Sequence, residues 1–302
     1  MSTTTPPATR TRGRRPSVFA VVNSTVLVLI ALLCIYPFLY ILAVSLSDGR
    51  AVASGSVHIL PEGFNIETYT YILTTPRLGI LRALLNSVLY TVVGTLFSVA
   101  ITYLTAYPLS KTRLAGAKVI MLGFIATWVF DAGIIPSYIV NSRLGFVDNW
   151  LVMVIPWGFN TFLLIITIAF LRTIPNELEE AAHLDGANDF QVMRRIYFPL
   201  SRPVVATIAV FYAVQIWNQF LVPLIYFQDD KLAPIQLVLY KLLLSGDKQA
   251  TTFEQINVGG HVIIPQSIQA ATMIFAIVPI LCFYPYAQRY FSKGLLVGSV
   301  KG

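Results

Sequence analysis

The sequence predicts an all-α, polytopic membrane protein with six transmembrane helices, on three observations. Of the 302 residues 56% are hydrophobic and only 12% charged, where ordinary soluble domains run to roughly a quarter charged. Apolar runs long enough to cross a bilayer, about 20 residues each, recur along the chain. Lys and Arg gather at the ends of those runs, where they set orientation. The net charge of +7 comes from these dispersed flanking residues, so it argues for a lipid bilayer and not for nucleic acid.

Taken in order, residues 1–17 carry Thr, Pro and Arg and read as a disordered cytoplasmic tail near anionic headgroups; 18–302 form one transmembrane domain. The first span is the charge-free run 16–47. A basic start, an apolar run and Ala51-Val52-Ala53 also suit a signal peptide, but the run far exceeds the about 7–15 residues of an apolar signal core, so it reads as uncleaved. Further charge-free runs are 83–110, 149–171, 203–228 and 262–288. A sixth, 119–142, is interrupted by Asp131. Uncharged runs of this length are helical, because backbone groups in lipid must pair within the segment. Cys34 and Cys282 each lie in an apolar run and read as small hydrophobes, not a disulfide. With the first tail inside, the other inner segments hold Lys111, Arg113 and Lys118; Arg172, Arg194, Arg195 and Arg202; and Arg289, Lys293 and Lys301. With Arg10, Arg12, Arg14 and Arg15 of the tail, that is 14 of the 21 basic residues, so both termini are expected in the cytoplasm.

The inner segment 172–203 has its own helix punctuation. Pro175 suits a first helical turn, and Glu177, Glu179 and Glu180 crowd that turn, where the helix dipole favours acid. Asp185-Gly186 reads as a break. A second short helix is expected over 188–196, stopping before Pro199. The pair Ala181-Ala182 leaves a low surface that a partner could approach; the competing reading is a merely solvated connection.

The spacing is specific: Glu180-Ala181-Ala182, three residues, Gly186, nine residues, then Ile196-Tyr197-Phe198-Pro199. It resembles the EAA loop of membrane subunits of binding-protein-dependent ABC importers. Other stretches carry the likeness further. Asn86-Ser87 and Ala106-Tyr107-Pro108-Leu109-Ser110-Lys111 bracket the second span. Ile135-Pro136-Ser137-Tyr138 and Leu144-Gly145-Phe146-Val147-Asp148 look like the turn after the third. Trp217-Asn218-Gln219-Phe220, then Pro223-Leu224, is similar to the Trp-Asn-Asp-Phe motif of sugar-type permeases, with Gln219 in place of the acid. The ending 291–302 resembles the tail of the maltose-type permease. The resemblance covers nearly all of 18–302 and is nearest in kind to the second permease of oligosaccharide importers in the carbohydrate uptake type 1 family, the lipoprotein or polygalacturonan type.

That resemblance implies the type I ABC importer permease fold in the bacterial plasma membrane. It implies a second permease subunit, two ATPase subunits that bind the ATP and Mg, an extracellular solute-binding protein and an oligosaccharide as partners, with no cofactor held by this chain. It implies that Glu180, Ala181, Ala182, Asp185, Gly186, Ile196 and Pro199 couple to the ATPase: Glu180 pairing with a basic group there, Gly186 allowing the bend, Asp185 helping to fix the turn. Phe198 stands where the family usually has Leu. Gly298, Lys301 and Gly302 would touch the ATPases. The outer loop 229–266 would reach into the binding protein, or form a hairpin at its rim.

Candidates for the substrate path are in-span polar and aromatic groups, which usually face a cavity: Asp131, Trp157, Asn160, Gln215, Trp217, Asn218 and Gln219. Asp131, beside Ala132-Gly133 with Pro136 following, marks a broken helix; a proton relay competes with a carboxylate that lines a vestibule or caps a half-helix. Leu244-Ser245-Gly246-Asp247-Lys248-Gln249 only faintly resembles an ATPase signature, and no Gly-x-x-x-x-Gly-Lys-Ser/Thr loop exists in the sequence. His58, His183 and His261 lack metal-ligand spacing, and no His-Glu-x-x-His or Gly-x-Ser-x-Gly occurs. The rival functions are an ABC permease for a non-sugar solute and an ion-coupled secondary transporter; the latter would want inverted repeats or paired intramembrane acids, which the sequence lacks.

Overall fold

Residues 18–111, 113–249 and 256–294 are described by the structure, a computed structural model. The chain begins with α1, Val18–Ser45, an apolar helix of 28 residues whose side chains are almost all uncovered, Leu33 at 76% exposed. The next elements are α2 (Gly49–Ser54), α3 (Glu67–Thr74), the 31-residue α4 (Ile80–Ser110), α5 (Ala117–Val129), α6 (Ile134–Arg143), α7 (Thr161–Leu171) and α8 (Glu177–Leu184). Then α9 (Asp189–Val192) runs through a π-helical turn, Met193–Tyr197, into α10 (Phe198–Leu200), followed by α11 (Arg202–Trp217), α12 (Leu221–Tyr226) and α13 (Ile235–Gln249). A hairpin of β1 (Ile256–Val258) and β2 (His261–Ile263) precedes α14 (Pro265–Gly294). The all-α expectation is therefore corrected by one antiparallel pair, in register Ile256 with Ile263 and Val258 with His261. Its two-residue connection is Gly259-Gly260, both at positive φ, the conformation that tight hairpins demand.

Three helices are long and apolar enough to cross a membrane: Val18–Ser45, Ile80–Ser110 and Pro265–Pro285. Two bent pairs, Ala117–Val129 with Ile134–Arg143 at 113° and Asp189–Leu200 with Arg202–Trp217 at 80°, raise the number to at most five among the described residues. The expected fourth span, 149–171, is not one helix. Its α7 has only 11 residues, about 16 Å at 1.5 Å per residue, half of the roughly 30 Å hydrocarbon core. The rest of the run turns through Trp150–Met153, a 3-10 turn, and past Pro156. At Gly158 a Cβ would collide with the Val154 carbonyl oxygen and stand 2.8 Å from the Phe97 ring, so only glycine fits. The expected fifth span also breaks, at Asn218–Phe220 between α11 and α12.

The bundle is organised on α4, which packs most extensively on α11 and α7, while α14 packs on α1 and α11. The Ile216 side chain of α11 packs directly on Gly94 of α4, where a Cβ would lie 2.7 Å from Ile216 Cδ1. Buried hydroxyls need partners in apolar surroundings. The Tyr212 hydroxyl supplies them, 2.6 Å from Thr102 Oγ1 and accepting from the Asn160 backbone N–H at 3.1 Å, which ties α4, α7 and α11 together.

The described parts of 229–266, up to 249 and from 256, are largely folded. α13 and the hairpin share an apolar cluster with α3 and the start of α4 through Ile72, Ile80, Ile235 and Ile263. Asp48, after α1, accepts a hydrogen bond from the Val262 N–H at 3.3 Å and sits 3.1 Å from His261 Nδ1. The bundle thus has a hairpin end and, opposite it, a loop end where α8 lies.

Candidate functional site

At the loop end the Glu180-to-Pro199 pattern folds as helix, turn, helix. α8 ends at Asp185, and Gly186 takes φ +83° with open space around a would-be Cβ; glycine is needed there by the backbone, not by crowding. The turn is closed by Gly186 N–H to the His183 carbonyl at 3.0 Å, Ala187 N–H to the Ala182 carbonyl at 2.9 Å, and His183 Nδ1 at 2.9 Å from the Ala187 carbonyl. The Asp185 side chain has no hydrogen bond or ion pair among the described residues; its part in the turn is its backbone N–H, on the Ala181 carbonyl at 3.1 Å. Asn188 and Gln191 form a reciprocal capping box that starts α9. The second helix does not stop before Pro199 as expected. It widens over Met193–Tyr197, with the Phe198 N–H reaching back to the Met193 carbonyl, so the proline ring and its missing N–H are accommodated without ending the helix.

The two alanines part company. Ala182 and Ile196 pack onto a core of Tyr103, Ala106, Ile168, Leu171, Ile174 and Val192, gathered from α4, α7 and the segments that follow α7, whereas Ala181 is exposed. The outward face carries apolar side chains in a charged setting, Leu184 at 90% and Phe190 at 62% exposed, beside exposed Arg194 and Arg195. Glu180 is exposed as well and lies 3.7 Å from Arg113 Nη2.

The buried acid of this site is Glu179, not Glu180. Its Oε2 accepts from Lys111 Nζ at 2.5 Å and from the Tyr197 hydroxyl at 2.9 Å, and His183 Nε2 stands 3.8 Å from Oε1. Lys111 Nζ lies 3.4 Å from the centre of the Tyr197 ring and 4.5 Å from that of Tyr107, within reach of a cation–π attraction. Burial pushes the Glu179 carboxyl up, but the hydrogen bonds from Lys111 and Tyr197 and the charges of Lys111 and Arg113 outweigh it and hold the carboxyl below its ordinary value of 4.5. Lys111, Glu179 and Tyr197 escaped the sequence reading as site residues. One signal was there: Glu179, Ala182 and His183 are spaced three and four apart and share a helix face.

The predicted substrate-path residues have separate local partners. Asp131 lies in the break between α5 and α6, where its Oδ1 accepts from the Gly133 N–H at 2.9 Å. Asn160 caps α7, accepting from the N–H groups of Phe162 and Leu163 at 2.9 and 3.3 Å. Trp217 is corrected to a packing role: it is 6% exposed, and its indole N–H donates to the Ala276 carbonyl at 3.0 Å, which fastens α11 to α14. Trp157, Gln215 and Asn218 are exposed and Gln219 is half-buried, with Asn218 Nδ2 donating back to the Val214 carbonyl at 2.9 Å. Gly298, Lys301 and Gly302 lie outside the described residues, as does the tail 1–17. At the hairpin end a groove of about 1350 Å³ is lined by Arg77, Arg82, Lys231 and Lys241, with Asp230 as its one acid among the described residues, bound to Lys241 at 2.5 Å. None of the predicted path residues lines it.

Long apolar helices, broken spans and a folded loop with exposed apolar side chains define a helical membrane protein. The chain belongs to the family described as binding-protein-dependent transport system inner membrane component, which matches residues 17–297. It is 39% identical to protein LplC of Bacillus subtilis over 94% of this chain and 95% of that one. It is 36% identical to the polygalacturonan/rhamnogalacturonan transport system permease protein YtcP of the same organism, over 91% and 96%. Among solved structures it resembles a chain of a bacterial ABC transporter involved in the import of the acidic polysaccharide alginate, with a TM-score of 0.83 and 30% identity, covering 95% of this chain and all of that one.

Proposed function

We propose that this chain is a permease subunit of a binding-protein-dependent ABC importer, that it forms half of the path for an oligosaccharide, and that it takes its drive from cytoplasmic ATPases through the loop 172–203. The observation that carries this is the loop itself: the Glu180-to-Pro199 pattern folded as helix, Gly turn and helix, with Leu184 and Phe190 exposed among charges. Apolar side chains held out of a charged segment are a docking ridge for a protein groove. The loop end then faces the cytoplasm, in keeping with the Lys and Arg bias, and both termini lie on the cytoplasmic side of a bacterial plasma membrane. Six spans follow if α7 with the turns before it crosses as an irregular fourth, since non-helical backbone is tolerated where protein covers it. The partners are a second permease, two ATPases that hold the ATP and Mg, and an extracellular binding protein that meets the hairpin end. Gly298, Lys301 and Gly302 reach the ATPases.

Transport proceeds by alternating access. Closure of the ATPase dimer pushes 180–186, the spans rock open toward the hairpin end as the binding protein releases its cargo, and hydrolysis resets them. The basic groove favours an oligosaccharide that carries carboxylates: among the described residues Arg77, Arg82 and Lys231 line it beside the Lys241–Asp230 pair. The names of the relatives, an alginate importer and a polygalacturonan permease, support the same class of cargo. The test is ATP hydrolysis in liposomes that hold this chain, its partner permease, the ATPases and binding protein loaded with trigalacturonate or with a neutral trisaccharide. Stimulation is expected with the acidic cargo. Equal stimulation by the neutral sugar would remove the acidic preference. Stimulation only by a non-sugar solute would move the chain to a permease of another substrate class, and failure to assemble with any ATPase would favour an ion-coupled transporter.

A further inference from the structure

α8 is short, and the Gly186 turn at positive φ follows it directly. A push on its exposed face moves the bundle only as far as α8 is tied to a long helix. One tie is apolar, the Ala182 methyl on the core beneath the loop; the other is polar. Lys111 follows the last residue of α4 and caps it, its N–H on the Pro108 carbonyl at 3.1 Å. Its ammonium meets Glu179 of α8 at 2.5 Å, with side-chain exposures of only 16% and 10%. The same ammonium lies over the Tyr197 ring, Tyr197 donates its hydroxyl to Glu179, and Tyr107 of α4 meets Tyr197 edge-on at 5.2 Å. The Tyr107 hydroxyl adds a bond to the Asp189 carbonyl at 3.3 Å. The end of α4 and two neighbouring segments far along the chain from it, α8 and 189–200, are thus knotted around one buried charge pair. Such pairs add little net stability over an apolar filling, but they fix one geometry strongly, because breaking one strands a buried charge.

We propose that Lys111 is a positioning residue for coupling: with Glu179 and Tyr197 it latches α8 to the end of α4, so that a displacement of α8 becomes a displacement of α4 and, through its contacts with α7 and α11, of the bundle. The inference rests on the coupling role proposed for the loop, and its test separates the two.

Spin labels are placed at Leu104→Cys on α4 and Glu177→Cys on α8, with Cys34 and Cys282 replaced by Ala, in the assembled complex with and without ATP and Mg. The distance between them stays narrow and constant in the unaltered latch and in K111R, which keeps the charge over the rings. It broadens in K111M. In liposomes K111M loses solute uptake per ATP by about tenfold while ATP hydrolysis continues, and K111R restores uptake. A narrow distance in K111M, or uptake per ATP equal to that of the unaltered complex, overturns the latch. Should K111M not assemble, Y197F decides, since it keeps the ring under Lys111 and removes only the hydroxyl from Glu179: a broadened distance supports the latch and an unchanged one overturns it. If G186P and E180K keep full uptake while K111M still broadens the distance, the coupling role of the loop fails and the latch stands as a structural tie.

Discussion

At the residue scale, the neighbouring acids Glu179 and Glu180 have opposite fates. Glu180 is exposed and only 3.7 Å from an exposed Arg113, an arrangement worth under about 1 kcal/mol. E180K is therefore expected to leave thermal unfolding in detergent nearly unchanged and to abolish stimulated ATP hydrolysis; normal uptake by a well-expressed E180K would sink its coupling role. Glu179 is buried with Lys111, so E179Q strands the ammonium and is expected to cost about 3 kcal/mol, read as a lower unfolding temperature. The pH dependence has a definite sign. Because the folded Glu179 holds its proton less tightly than the ordinary value of 4.5, its stabilisation is present above that value and is lost as the pH falls through the lower folded one. Unfolding temperatures of the unaltered chain should drop over that acid range, and E179Q should flatten the drop. A drop of equal size in E179Q would assign it to other carboxylates. Gly186 shows a different constraint: at φ +83° a proline, locked near −65°, cannot hold the turn, so G186P is expected to uncouple uptake while the spans stay folded.

At the element scale, breaks in helices carry as much information as the helices. The run 149–171 is apolar enough for a span, yet Pro156 and the crowding at Gly158 stop it from being one helix. G158A would drive a Cβ into the Val154 carbonyl and the Phe97 ring and is expected to cost about 1–3 kcal/mol, measured by thermal unfolding; an unchanged midpoint would mean that the segment can relax. The π-helical turn before Pro199 lets the helix 189–200 continue past a residue that usually ends one, and it brings Tyr197 under Lys111. Trp217 belongs to this scale too. W217F keeps the ring in its pocket but leaves the Ala276 carbonyl without its donor, an expected loss of about 1 kcal/mol with cargo preference unaltered. A changed cargo preference in W217F would return Trp217 to the substrate path.

At the scale of the whole molecule, the two ends of the bundle differ in chemistry. One exposes Leu184 and Phe190 among charged side chains; the other gathers Arg77, Arg82, Lys231 and Lys241 in a groove. Charge attraction of this exposed kind is screened by salt, so stimulation by an acidic cargo is expected to fall with ionic strength and to fall further in R77Q/R82Q, and stimulation indifferent to both would detach the groove from cargo. Membrane residence, apolar helices and the helix–turn–helix form of 177–200 were legible in the sequence because each is local: an uncharged run, a Lys or Arg at its end, a Gly at a fixed distance from a Glu. The fold of 229–266, the breaks in two spans, the burial of Glu179 and the packing role of Trp217 were decided only by tertiary structure. Each depends on a neighbour far along the chain, Lys111 for Glu179 at 68 residues and Ala276 for Trp217 at 59. Whether a polar group serves a partner or its own fold is settled by what the packed helices bring within hydrogen-bonding distance of it.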